Sequence, residues 1–246
     1  MSISFLLEHA NQAVVWRGPR KNALIQQFLT QVDWTGDTDG LDYLIIDTPP
    51  GTSDEHISTV QFLQNGMAPL AGAIVVTTPE EVSLADVRKE LNFCQKTKVP
   101  VLGVVENMGT YQASFRDVQF VHKQDGTDGT ATVLQTLQEK CPELLEHYCI
   151  STQLFSDPSG GGGTRAGSSG SGGAERMAAE YHVPFWGRLP LDPQLLQACE
   201  KGQAYVAVQP DAPAAQALQE IARKLTTVLP VAMGEEEEDN DDETMA

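Results

Sequence analysis

Three short apolar runs separated by helical patterns constrain the fold of this chain most strongly. The runs occupy residues 43–46, 73–77 and 101–105. Each is nearly continuous rather than alternating, as expected for a parallel strand covered on both faces. Helices are predicted to begin at Asp54, as an N-cap, and at Ser83. Since parallel strands need such crossovers, we predict a doubly wound, mainly parallel α/β sheet.

Helical periodicity also predicts which cysteines lie in the core. Cys94 closes an apolar stripe at i, i+3 and i+4 spacings that begins at Leu84, so its thiol is expected to be buried. Cys199 lies in a similar amphipathic pattern and is assigned to the core as well. Further helices are predicted at residues 21–32, 174–181, 193–203 and 214–228, and a further strand at 184–189.

The charge of the chain argues against nucleic acid as a partner. The 246 residues carry a formal net charge of -18, of which residues 235–243 contribute eight carboxylates. The remainder still carries about -10, which repels a phosphate backbone. The sequence shows neither a signal peptide nor an apolar run of the ~20 residues that span a bilayer. We therefore expect a cytoplasmic protein with no membrane partner.

Residues 41–56, LDYLIIDTPPGTSDEH, have the pattern of a nucleotide switch. Asp47 directly follows the first apolar run, and a carboxylate at the carboxyl end of a parallel strand can hold magnesium beside nucleotide phosphates. Gly51 allows the backbone to approach a phosphate closely. Pro49 and Pro50 stiffen the turn between Asp47 and Gly51. An ordinary strand followed by a proline turn is the alternative for the DTPP letters alone.

This string and three others together resemble the Mrp/ApbC-type P-loop ATPases. The others are WRGPRKNALIQQFL before it, and VVTTPEEVSLADVRKELNFC and VVENM after it. Within that family the chain is most similar to the eukaryotic cytosolic iron-sulfur scaffold ATPases, over residues 1–108, 154–156 and 172–204. The resemblance implies a deviant P-loop NTPase fold with ATP and Mg²⁺ as cofactors. It also implies a [4Fe-4S] cluster that is assembled at a dimer interface and transferred to apoproteins.

The family's glycine-rich phosphate loop, G-K-G-G-V-G-K-S/T, has no counterpart in this sequence. No G-x-x-x-x-G-K-S/T occurs between residues 1 and 246. We expect a chain truncated at its amino terminus, or an incomplete gene prediction, that cannot hydrolyse ATP alone, since phosphoryl transfer depends on the phosphate cradle. Exposed strand edges would then favour a marginally stable monomer or an obligate complex.

Three more site residues are assigned from the resemblance. Asn107 resembles the family asparagine that reads adenine, with a turn-forming asparagine as the alternative. Cys141 and Cys149 resemble the thiolate pair that each subunit donates to a bridging cluster, although they lie eight positions apart. In one continuous helix that spacing spans roughly 12 Å, too far for adjacent ligands without a bend. Two small apolar residues in a packed insertion are the alternative.

The chain is predicted to form one α/β domain over residues 1–230. Residues 109–173 are interpreted as a divergent insertion with a Gly/Ser-rich linker at 158–173, and residues 231–246 as a disordered acidic tail. Two functions follow. One is a cluster scaffold that forms a homodimer, heterodimer or heterotetramer with a related ATPase and serves apoprotein clients. The alternative is a non-catalytic binding or regulatory subunit that docks on an intact homologue.

Overall fold

Four strands form one sheet around a long central strand. A computed structural model describes residues 2, 5, 9, 17–36, 38, 40–67, 70–155 and 173–231. In this part of the chain, β1 (Ala73–Thr77) and β4 (Phe185–Leu191) run parallel to β2 (Val101–Ser114). The last strand, β3 (Cys149–Gln153), pairs antiparallel with the end of β2. The predicted α/β class with a mainly parallel sheet is confirmed.

The predicted helices occur at their expected places. Within the described residues, no helix is both long and apolar enough to cross a bilayer. Proline stands in the first turn of α1, α7 and α9, where its missing amide leaves no hydrogen bond unmade. The helices are α1 (Gly18–Gln31), α2 (Asp54–Phe62), α3 (Glu81–Thr97), α4 (Thr130–Lys140), α5 (Pro142–His147), α6 (Gly173–Glu180), α7 (Pro193–Glu200), α8 (Tyr205–Val208) and α9 (Pro213–Val228), and a π-helical turn (Leu63–Met67) follows α2.

The helices α3 and α6 cover one face of the sheet. Leu84 and Leu91 of α3 are at most 1% exposed and belong to one cluster with Val75 of β1 and Val104 of β2. Successive residues of a strand point to opposite faces, so Val75 and Val104 mark the covered face. The whole predicted stripe of α3 is buried, including Cys94, which confirms that assignment.

The opposite face is covered at β4 by α9. Trp186 of β4 lies against Gly103 of β2, where an added Cβ would be 2.3 Å from the indole ring, so only glycine fits there. Lys224 of α9 donates a hydrogen bond of 2.6 Å to the carbonyl oxygen of Trp186. Leu189 packs in a second cluster with Ala214 of α9. Helices on both faces make the sheet doubly wound.

The predicted strand at residues 43–46 is wrong. The segment is extended, yet it joins no ladder in the described part of the chain, and Ile45 is 70% exposed. Apolar β-branched composition favours a strand only where neighbouring strands complete its hydrogen bonds, and the described sheet ends at β1. The Tyr43 hydroxyl instead donates to the Leu229 carbonyl oxygen just after α9.

Two smaller predictions are also wrong. Ser53, not Asp54, is the N-cap of α2, because the Ser53 amide donates to Nδ1 of His56 at 3.2 Å in a capping box. Asp54 still lies in the first turn, where a carboxylate complements the helix dipole. Cys199 is exposed because the short helix α7 turns the neighbouring Ala198 toward the core instead.

Two stretches within residues 109–155 belong to the sheet, namely 109–114 and 149–153. β2 continues to Ser114, and β3 pairs with this extension from Thr110 opposite Gln153 to Ser114 opposite Cys149. The predicted linker and acidic tail lie outside the described residues, apart from residues 173 and 231.

Replacing Leu84 by Ala should destabilise the fold by roughly 2–5 kcal/mol, because it leaves a cavity where the side chain is 0% exposed. Urea denaturation followed by circular dichroism measures the loss. Val82→Ala on the same helix is the control, since Val82 is 71% exposed and should change the free energy of unfolding little. Equal losses in the two variants would contradict the described core.

Candidate functional site

The carboxyl-terminal halves of the parallel strands meet at one edge of the sheet. Thr77 ends β1 opposite Glu106, and Glu106 and Asn107 of β2 lie opposite Arg188 and Leu189 of β4. Ligands of open α/β sheets bind at this edge. Asn107 is half-buried there, inside β2 rather than beyond its end, because the strand continues to Ser114.

A bulge in β2 follows Asn107 immediately. The ladder to β4 shifts register between Asn107, opposite Leu189, and Tyr111, opposite Leu191. Three residues of β2 therefore span the distance of one on β4. Met108 within the bulge has a φ of 60°, a backbone conformation that residues other than glycine seldom adopt. Bulges of this kind re-aim side chains beside binding sites.

The turn at residues 47–51, called the switch turn, lies outside the described sheet. Gly51 has φ of 85°, which favours glycine at this position, and its amide donates to Oε1 of Glu90 on α3 at 2.9 Å. The amide predicted to meet a phosphate is therefore held by an internal carboxylate. Asp47 is exposed four residues earlier on the same extended segment. The structure thus keeps Asp47 and Gly51 on one segment and places Asn107 in the central strand.

A cleft of about 390 Å³ lies beside the switch turn, between the first turns of α1 and α2. Lys21 of α1 and Glu55 of α2 both line it and form an ion pair, with 2.6 Å between Nζ and Oε1. The hydrogen bond from Lys21 and a second from Ser53 lower the pKa of Glu55 to about 2. Sequence reasoning missed this pair, since no helical or strand periodicity links residues 34 positions apart.

Acid should weaken the contribution of this ion pair to stability. The folded-state pKa of Glu55 lies below its ordinary value of 4.5, so the stabilisation is complete above about pH 4.5 and is lost as the pH falls toward 2. Lys21→Met should lower the urea midpoint at pH 6, and the difference from wild type should shrink toward pH 2. Lys89→Met is the control, because its pair with Asp86 is exposed. A pH-independent difference would contradict this interpretation.

The two candidate thiols lie on different elements. Cys141 is half-buried between α4 and α5, where Pro142 begins the new helix, and Cys149 is exposed at the start of β3. They therefore do not share one continuous helix. Among the described residues, no three His, Cys, Asp or Glu side chains are grouped closely enough to hold a metal ion. Neither Asp47 nor the thiols complete a metal site within this part of the chain.

A buried carboxylate at the sheet edge was not predicted from the sequence. Glu106 is 3% exposed and accepts a hydrogen bond of 3.1 Å from Nε of Arg188. Arg188 also binds Glu175 at the surface, at 2.5 Å. The signal was a single glutamate directly after the apolar run 101–105, in a strand whose burial requires a charge partner.

Comparison with known proteins gives two sequence matches. A family model described as "ParA: NUBPL iron-transfer P-loop NTPase" matches residues 1–147 and 158–226. The cytosolic Fe-S cluster assembly factor NUBP1 homolog of Caenorhabditis briggsae is 43% identical over 229 residues, which make up 93% of this chain. The chain spans 58% of the length of that relative.

Solved structures also align with most of the chain. A nucleotide-binding protein in complex with ADP from Archaeoglobus fulgidus is 27% identical, with a TM-score of 0.49 over 88% of this chain and 60% of its own. The cell division ATPase MinD of Pyrococcus furiosus is 19% identical, with a TM-score of 0.46 over 88% of this chain and 63% of its own. Similarity at this level supports no further conclusion.

Proposed function

Because the chain belongs to the ParA family of NUBPL iron-transfer P-loop NTPases, we propose that it acts in cytosolic iron-sulfur cluster assembly. The observation that carries this proposal is the 43% identity to a cytosolic Fe-S cluster assembly factor. It extends over 93% of the chain, and the family model matches residues 1–147, which include Gly51 and Cys141 but not Cys149. The proposed activity is that of a scaffold that holds a [4Fe-4S] cluster as cargo and passes it to apoproteins.

The exposure of the thiols supports a cluster shared between two chains. Cys149 is exposed on β3, and Cys141 is half-buried at a helix junction, so both sulfur atoms are open to a partner more readily than the buried Cys94. Burial raises the pKa of the Cys94 thiol, which disfavours the thiolate that iron binds. Two chains that each donate Cys141 and Cys149 would supply four thiolates to one cluster. The second chain is a copy of this one or a related scaffold ATPase.

Three residues are proposed to contact a bound nucleotide. Asp47 would face magnesium, the turn at Gly51 would sense the γ-phosphate, and the Asn107 side-chain amide would face the edge of adenine. These residues do not make a complete site for ATP and Mg²⁺. The sequence has no lysine-bearing glycine loop, and the described residues form no metal site. We therefore do not assign ATP hydrolysis to this chain alone.

One observation favours the second candidate function, a non-catalytic subunit that docks on an intact relative. Apolar side chains of the extended segment are exposed, with Ile45 at 70%, and the outer edge of β1 is unpaired in the described sheet. Unpaired strand edges and exposed apolar residues are each features of surfaces that pair with another chain. A scaffold and a docking subunit can be separated by experiment.

Anaerobic reconstitution with iron and sulfide tests the scaffold. Wild type should develop the broad visible charge-transfer absorbance of an iron-sulfur cluster, and Cys141→Ala with Cys149→Ala should abolish it. Cys199→Ala is the matched control because Cys199 is also exposed but lies on α7, outside the proposed pair. A band that survives the double substitution would place the cluster elsewhere. No band in wild type would exclude the scaffold.

Co-purification with a full-length family member tests docking. The two chains should elute together in size-exclusion chromatography, and Ile45→Lys should reduce the complex by about tenfold or more, because it puts a charge on the exposed apolar segment. Val121→Lys is the control, since Val121 is 56% exposed in the loop between β2 and α4. Separate elution of the wild-type chains would contradict a docking subunit.

A further inference from the structure

We propose that Glu106 is a positioning residue that holds the β2 bulge and thereby orients the Asn107 amide at the sheet edge. This inference rests on the proposed adenine contact of Asn107. The two neighbours point to opposite faces of the sheet, as successive strand residues do. Glu106 points to the face covered by α3 and α6, which leaves Asn107 on the face where Val76 of β1 is 55% exposed.

The Glu106 carboxylate has its own set of partners. It is 3% exposed, accepts from Nε of Arg188 at 3.1 Å and lies 3.4 Å from the backbone nitrogen of Ala174, which donates to Oε2. A buried carboxylate without a cationic partner is strongly unfavourable, so Arg188 holds the carboxylate in one position. The guanidinium is fixed in turn by Glu175 and by the Phe185 ring, whose centroid is 5.1 Å away.

The same carboxylate packs directly on the bulge. An added Cβ at Gly109 would lie 2.8 Å from Oε1 of Glu106, so the backbone of the bulge passes close to the carboxylate. Met108 just before it has φ of 60°, which costs energy that surrounding contacts must offset. The Glu106 side chain therefore supports the bulge that follows Asn107.

The support is anchored in the core of the protein. Ala174 stands at the start of α6, is 0% exposed and belongs to the cluster that contains Leu84 of α3. An added Cβ at Gly173 would be 2.5 Å from a methyl carbon of Leu84, so α6 begins in close contact with α3. Glu106 thus joins the bulge to α6, which is packed against the least exposed residues of the sheet.

Glu106→Gln tests the proposal, because it keeps the size of the side chain and removes its charge. Hydrogen exchange should accelerate by about tenfold or more at residues 107–111 and stay unchanged in α9. The preference of the protein for a fluorescent ATP analogue over the GTP analogue should fall toward one. Glu81→Gln is the matched control, since it removes an exposed carboxylate that is paired with Arg88 on α3, outside this network, and should change neither readout.

Two further variants separate positioning from general stability. Arg188→Lys keeps the positive charge but not the planar donors, and should accelerate exchange at residues 107–111 less than Glu106→Gln. Arg188→Gln combined with Glu106→Gln should be no worse than Arg188→Gln alone, since the two residues act as a pair. Exchange that is unchanged in the bulge, or equally faster in α9, would overturn the proposal. A wild-type protein without base preference would refute the adenine role of Asn107 and leave exchange to decide the role of Glu106.

Discussion

Backbone hydrogen bonding along both edges of β2 holds this fold together and determines where its functional residues lie. The strand takes β1 on one side and β4 on the other, and its extension past the bulge takes β3. Because the three parallel strands run in one direction, their carboxyl-terminal halves bring Thr77, Glu106 and Arg188 to one edge. A single strand thus connects the core, the candidate base contact and the strand that carries Cys149.

At the sheet edge, the irregular backbone of the β2 bulge lies next to the ion pair of Glu106 and Arg188. Bending β2 away from β4 after Asn107 breaks the ladder and places Met108 in a left-handed conformation. The ion pair between the buried Glu106 and the more exposed Arg188 joins β2 to β4 at this point, and charged hydrogen bonds are stronger than neutral ones. In the proposed role of Glu106, this ion pair keeps the irregular backbone of the bulge in place.

The segment from residue 41 to Gly51 lacks the strand pairing that holds β2 in place within the described residues. Its apolar residues stay exposed because no described strand pairs with them, and the Gly51 amide bonds to Glu90 while the Tyr43 hydroxyl bonds to the Leu229 carbonyl oxygen. A segment with few partners can accept a new one at low cost. The proposed docking on another chain would use this exposed segment.

The sequence by itself determined the α/β class, the helices α1, α2, α3, α6, α7 and α9, and the buried stripe of α3, because periodicity and turn residues act locally. Short strings also identified the family and predicted the switch turn. Only the tertiary structure decided that residues 43–46 stay unpaired, that Lys21 meets Glu55, and that Glu106 is buried against Arg188. Strand pairing, ion pairs and burial depend on residues far apart in the chain, so no local pattern specifies them.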